Sequence, residues 1–224
     1  LACGGDFEQA ARSLRQQGFG GDSQADSSAG VDISGLMQSA QANISIATDP
    51  TMLHPKSLGT LLAEHPQLRA PVIHGLLREG ETMNVIASPK VGKSWLVIDL
   101  ALAVATGRSW LGMECEAGDV LIIDNELHGE TSANRIPKVA QARGIQLDEV
   151  AERVHVQNLR GHLQDLFALG TYFQQFEPGR FKVVILDAFY RFLPISADEN
   201  DNGTMANLYN YLDAFADRLK CCFV

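Results

Sequence analysis

Residues 82–99, Thr82-Met-Asn-Val-Ile-Ala-Ser-Pro-Lys-Val-Gly-Lys-Ser-Trp-Leu-Val-Ile-Asp99, decide the fold. They open as a β run over Thr82 to Ala87 and continue as a helix from Lys93 to Thr106, closed by Gly107. Between the two lies Ala87-Ser88-Pro89-Lys90-Val91-Gly92-Lys93-Ser94, the pattern G-x-x-x-x-G-K-[ST] in the strand-then-helix context that it requires. Backbone N–H groups of such a loop, with the positive end of the following helix dipole, surround phosphates and offset their charge. Lys93 then reaches the β and γ phosphates and takes part in catalysis, and Ser94 supplies a hydroxyl for Mg²⁺. Gly92 lets the backbone approach a nucleotide without a Cβ clash. Trp95, the next residue, completes the expected nucleotide-binding set. Ala87 stands where the pattern has glycine, which a strand end with negative φ tolerates. The competing reading is a chance Gly-Lys-Ser at a buried helix start, and the flanking elements weigh against it.

Farther along, Lys182-Val-Val-Ile-Leu-Asp187 is a run of apolar residues ending in an acid. It looks like a Walker B strand, whose terminal carboxylate hydrogen-bonds the magnesium shell from a neighbouring strand end. Read alone, Asp187 is an ordinary turn aspartate. Many proteins with this loop place a water-orienting glutamate directly after that acid, but here the next residue is Ala188. Asp119-Val-Leu-Ile-Ile-Asp-Asn-Glu126 offers a second buried strand with an acid just past its end, on the same edge of the sheet as the loop. Glu126 is therefore expected to poise water for in-line attack on a γ phosphate; Asp124 is its rival, and capping the next helix is its bland alternative. Arg191 is expected to sense phosphate or to act across a subunit boundary, against the commoner fate of a solvated or salt-bridged arginine.

Around these motifs strands and helices alternate. Val154 to Val156 reads as a short strand, Leu163 to Phe173 as a helix, and Cys221 to Val224 as the next strand. Glu130 to Arg143 reads as a helix stopping at Gly144, which Pro137 should kink or split. Thr204 to Leu219 carries apolar residues at 205, 208, 209, 212, 215, 216 and 219, the stripe of an amphipathic helix. Solidly apolar strands alternating with helices specify an α/β fold, a mostly parallel sheet with helices on both faces. Upstream, Asp6 can cap a short helix that ends at Gly18. From there to about Ala47 the chain is rich in Gly, Ser, Asp, Ala and Gln, too poor in large apolar residues to offset ordering entropy, apart from a weak helix near Leu36. The division is a preceding module at 1–17, a linker at 18–50 and the nucleotide-binding domain at 51–224. Because the chain opens with Leu1 and stops inside an apolar run, that domain is expected to be truncated at its C-terminal end.

Composition bounds the partners. A formal net charge of −9 excludes a broad electrostatic footprint for nucleic acid, so any DNA contact must be local. The longest apolar stretch, Trp95 to Ala105, is interrupted by Asp99 and too short for the roughly 30 Å of a bilayer interior, so no membrane span is expected. Cysteines at 3, 115, 221 and 222 form no disulfide framework or metal knuckle, which reads as reduced thiols in a cytoplasmic protein. The six histidines lack the spacing that puts two ligands on one helical face, and no structural metal is expected.

Taken together, ASPKVGKS at 87–94, IIDNE at 122–126, VVILDAFYRFLP at 183–194 and ADENDNG at 197–203, followed by an amphipathic helix, resemble the RepA-type branch of RecA-like P-loop ATPases. That branch includes hexameric helicases of plasmids and phages and is related more distantly to DnaB replicative helicases. The resemblance covers roughly Val72 to Val224 and implies a RecA-like core with ATP and Mg²⁺ as cofactors. It carries Lys93 and Ser94 over as phosphate and magnesium ligands, Glu126 as the catalytic glutamate and Asp187 as the Walker B acid, with Arg191 near the active site. In relatives a γ-phosphate-sensing strand, DNA-binding loops and an arginine finger follow the point reached at Cys221, so nucleotide binding with poor hydrolysis is expected of this chain by itself. The opening Gly4 to Leu14 looks like the tail of a phage primase module.

The resemblance thus implies a ring-shaped homo-oligomer, a hexamer by analogy, that moves on single-stranded DNA. The alternative is a nucleotide-controlled switch similar to circadian-clock ATPases. A small-molecule kinase ranks last, because Ser196 to Gly203 is acidic where an arginine-rich lid would be needed.

Overall fold

The apolar runs ending in Asp124 and Asp187 lie side by side at the centre of a four-stranded parallel sheet. The computed structural model describes residues 54–88, 90–162, 165–193 and 202–224, all within the unit Met37–Val224. In chain order its elements are α1 (Leu58–Glu64), a hairpin of β1 (Pro71–Ile73) and β2 (Leu77–Arg78), α2 (Lys93–Thr106), β3 (Val120–Asp124) and α3 (Gly129–Ala142). There follow β4 (Val154–Asn158), α4 (Leu166–Phe173), β5 (Val183–Asp187), α5 (Asn202–Leu219) and β6 (Cys222–Phe223). Short 3-10 turns at Leu147–Glu149 and Phe189–Phe192 complete the set. The sheet order is β4-β3-β5-β6, and every neighbouring pair is parallel.

Both faces are covered at β3, β5 and β6, which is why those strands show no polar alternation, whereas the edge strand β4 is half-buried and alternates. Leu121, Ile123, Val184, Leu186 and Phe223 point into a core completed by α4 and by Leu208, Leu212, Phe215 and Leu219 of α5. The alternate residues Val120, Ile122, Val183, Ile185 and Cys222 meet Val97, Leu100, Ala101 and Val104 of α2 on the other side. Ile98, Leu102 and Ala105, on a different side of α2, pack against Val139 and Ala140 of α3. Caught between sheet and helix, α2 is apolar nearly all round.

The α/β architecture expected from the alternation is present, and several details differ. Thr82 to Ala87 does not form a strand: Thr82 bridges Phe223 in parallel, and residues 83–88 have no ladder. The contact is made by Phe223, whose N–H donates to the Glu81 carbonyl at 3.2 Å and whose carbonyl accepts from the Met83 N–H at 2.8 Å. The helix around Pro137 is one continuous element. Proline removes a bond to the carbonyl of Ala133, an exposed position that water can satisfy, while burial of Val139 and Ala140 holds the following turn. The helix expected from Leu163 starts at Leu166, because Asp165 accepts the Ala168 N–H at 2.8 Å and caps it there. The expected helix after Asp6, the linker at 18–50 and the helix near Leu36 lie outside the described residues. No helix among the described residues is long and apolar enough to cross a membrane.

Candidate active site

Parallel register brings the strand ends level. Asp124 of β3 is paired with Asn158 of β4 and with Asp187 of β5, so three polar side chains finish in one row at the carboxyl edge of the sheet. In open α/β sheets this edge is where ligands bind.

The loop at 87–94 lies on the same edge. Lys90 and Gly92 both take left-handed backbone, with φ of 64° and 102°. Such turns make successive N–H groups converge into a concave nest for anions. At Gly92 the conformation is the reason for glycine, since an added Cβ would meet nothing within 4 Å yet would be strained by φ. Gly92 also serves as N-cap of α2 without any side-chain cap, which leaves first-turn donors for a ligand. The Lys93 ammonium donates to the Ala87 carbonyl at 2.8 Å, spanning the loop from helix to strand end.

Lys90, Gly92, Lys93, Ser94 and Trp95 line one wall of a cleft of about 580 Å³; Glu126, Asp187 and Tyr190 line the other. Arg135 of α3 closes one end, its guanidinium 5.2 Å from the centre of the Trp95 ring. Ala87 lines an adjoining hollow of about 310 Å³ that shares Lys93, Asp187 and Tyr190 with the cleft. Ser88 and Val91 are exposed on the loop, and Pro89 lies outside the described residues.

The Ser94 hydroxyl and the Asp187 carboxylate are neighbours in the cleft. Burial raises the Asp187 carboxyl above its usual range, and the carboxylates of Asp124 and Glu126 push it further; the Ser94 hydroxyl and the Lys93 charge oppose them. A hard divalent cation takes oxygen ligands of this kind, so the residues present fit Mg²⁺, with Ser94 and Asp187 as its holders. Its charge would offset the crowding of three carboxylates.

Asp124 and Glu126 have separated roles in the local geometry. Asp124 is buried, and its Oδ1 accepts the N–H groups of Glu126 and Leu127, both at 2.8 Å. It shapes the turn that delivers Glu126 to the cleft wall. Asn125, between them, ties this turn to β5: its N–H donates to the Asp187 carbonyl at 3.0 Å and its Oδ1 accepts from the Ala188 N–H at 3.1 Å.

Arg191, expected at the nucleotide, is not among the residues that line the cleft and touches its rim through Glu126. Its Nε donates to the Tyr190 hydroxyl at 3.1 Å and lies 3.4 Å from Glu126 Oε1, while Nη1 reaches the Asn125 carbonyl at 3.4 Å. The 3-10 turn at 189–192 presents it toward the Asn125–Glu126 turn, and three acceptors satisfy it there. Sequence reasoning missed Arg135, Asn125 and Tyr190. Asn125 and Tyr190 had a signal, their places inside IIDNE and VVILDAFYRFLP; Arg135 enters through helix phase.

An anion nest with its lysine, a serine beside a strand-end aspartate, and a parallel sheet covered on both faces define a RecA-like P-loop ATPase. The chain belongs to the AAA_25 family, an AAA domain, which it matches over residues 47–224. Among solved structures it is similar to the crystal structure of the RadB recombinase, with 19% identity over 64% of this chain and a TM-score of 0.37. The chain spans 57% of the length of that structure. No curated protein matches it.

Proposed function

We propose that this domain binds and hydrolyses Mg·ATP as the motor of a RepA-like replicative helicase, working as a ring of identical subunits on single-stranded DNA. The observation that carries the ATPase part is the convergence of Lys93, Ser94, Asp187 and Glu126 on one cleft. Lys93 offsets phosphate charge, and the loop amides orient the phosphates. Ser94 and Asp187 would hold Mg²⁺, which would supply neutralisation of phosphate charge. Glu126, across the cleft from Lys93, accepts a proton from water and aligns it for in-line attack. Arg135 and Trp95 offer a cation and an aromatic face for the base. The helicase part rests on resemblance of the motifs at 87–94, 122–126 and 183–194 to the RepA-type branch. A domain this acidic suits a motor whose DNA contacts are confined to local loops.

The test has two readouts. Calorimetry with Mg·ATP should give binding that Lys93→Ala weakens by at least about tenfold, the effect of roughly 1.4 kcal/mol. ATP turnover by the intact protein should rise with single-stranded DNA and collapse in Glu126→Gln. Absence of Mg·ATP binding would refute the ATPase assignment. Turnover indifferent to DNA would replace the motor by a nucleotide-controlled switch.

A further inference from the structure

The backbone around Glu126 is fixed on both sides while its side chain is a flexible rotor. Its N–H is held by Asp124 Oδ1 at 2.8 Å, and its carbonyl accepts from Arg160 Nη1 at 2.7 Å. Neither contact restrains the carboxylate, and a free glutamate has several rotamers from which only some aim at the cleft.

Two side chains act on it: Arg191 Nε lies 3.4 Å from Glu126 Oε1, and Tyr190 makes the shorter, directed bond that removes the rotor's freedom. The Tyr190 hydroxyl donates to Glu126 Oε1 at 2.8 Å and accepts from Arg191 Nε at 3.1 Å. A phenol has a single hydrogen, and with Arg191 occupying a lone pair that hydrogen is directed at Glu126. The other lone pairs of the carboxylate remain for water. Tyr190 itself stands on a firm base: Phe189 stacks on Tyr209 with ring centres 5.7 Å apart, and Phe192 is fully buried. Tyr190 is 53% exposed and adds little to the core, so its hydroxyl bond is not explained by packing.

We propose that Tyr190 is a positioning residue for catalysis: its hydroxyl, oriented by Arg191, holds Glu126 in the rotamer that aligns the attacking water. This rests on Glu126 as the water-orienting carboxylate. Tyr190 thus acts in the transition state and not in the binding of ground-state nucleotide.

The experiment compares wild type, Tyr190→Phe, Glu126→Gln and the double variant, in the intact protein. Three readouts are taken: Mg·ADP affinity, affinity for Mg·ADP with aluminium fluoride as the transition-state mimic, and kcat. Tyr190→Phe should leave Mg·ADP affinity within about twofold and lower mimic affinity and kcat by about tenfold, the loss of one hydrogen bond to a charged group. In the Glu126→Gln background the same change should have almost no further effect. An equal loss in both backgrounds, a parallel loss of Mg·ADP affinity, or no loss at all would overturn the proposal while leaving Glu126 in its role. Glu126→Gln indistinguishable from wild type would overturn both. Unchanged thermal melting of Tyr190→Phe shows that the fold is intact.

Discussion

The interior of strands β3 and β5 and the carboxyl ends of the same strands make opposite use of one sheet. Val120 to Ile123 and Val183 to Leu186 are apolar and at most 7% exposed, each packed against helices on both sides. One to three residues farther on stand Asp124, Asp187 and Glu126, three acids within mutual electrostatic reach, one of them pushed toward its neutral form by burial. The interior is where folding free energy is gained by removing apolar surface from water. The ends hold one carboxylate, Asp187, whose charge the nucleotide-free fold does not favour, and it is tolerated because the interior fixes the backbone beneath it. Substitutions in the two regions should therefore separate stability from nucleotide chemistry.

The sharpest break is expected at Phe173 of α4. It is fully buried, with Phe215 and Phe223 each 5.3 Å away between ring centres. Phe173→Ala should cost about 3–5 kcal/mol in urea unfolding, a large part of the roughly 5–15 kcal/mol that a domain has. Mg·ATP affinity per folded molecule should stay within about twofold; a larger fall would mean that the interior and the ends are not separable. A smaller effect belongs to Gly170 in the same helix, where a Cβ would run into the Tyr211 hydroxyl and its ring carbon. Gly170→Ala should destabilise by about 1–3 kcal/mol through overpacking. Tyr211→Phe, which removes the nearest colliding atom, should return part of that loss in the double variant. Strict additivity would show that helix backbone, and not the collision, sets the cost.

The same contrast explains what could be read from residues alone. The helix at Lys93 to Thr106 has the expected bounds, because an all-apolar run with Gly107 in left-handed conformation as its stop leaves no alternative. Strands β3 and β5 lie within a residue of their expected starts, since apolar runs covered on both faces are hard to mistake. The strand leading into the loop was overestimated: pairing partners are not written in a local segment, and Thr82 alone finds one. At the site, Lys93, Ser94, Glu126 and Asp187 are legible because each ends or begins an element in a recurrent order, and they share one cleft. The partners of Arg191 were not legible because a guanidinium reaches any of several acceptors, and only coordinates show that Tyr190, Asn125 and Glu126 surround it. Tyr190 stood inside a quoted motif, but its aim depends on a 3-10 turn, and Arg135 had no motif, as its position depends on the phase of α3.

The smallest effect, and the one that tests the comparison most directly, is at Asp187. Its folded pKa is raised by burial and by the neighbouring acids, so the fold prefers the protonated form. A raised carboxyl contributes stability that is present below its unfolded pKa and lost as pH rises through its folded pKa. Asp187→Asn imitates the neutral form at every pH. Without nucleotide it should melt higher than wild type at neutral pH, and the two curves should merge in acid. Magnesium-dependent ATP binding should move the other way: in wild type it weakens as pH falls through the raised pKa, and in the variant it is weak throughout. Thermal melts without nucleotide across the acid-to-neutral range, paired with calorimetry in magnesium, decide the matter. A variant that melts lower at neutral pH would mean that the Ser94 hydroxyl and the Lys93 charge already outweigh burial, and that the strand ends stabilise the empty protein as its interior does.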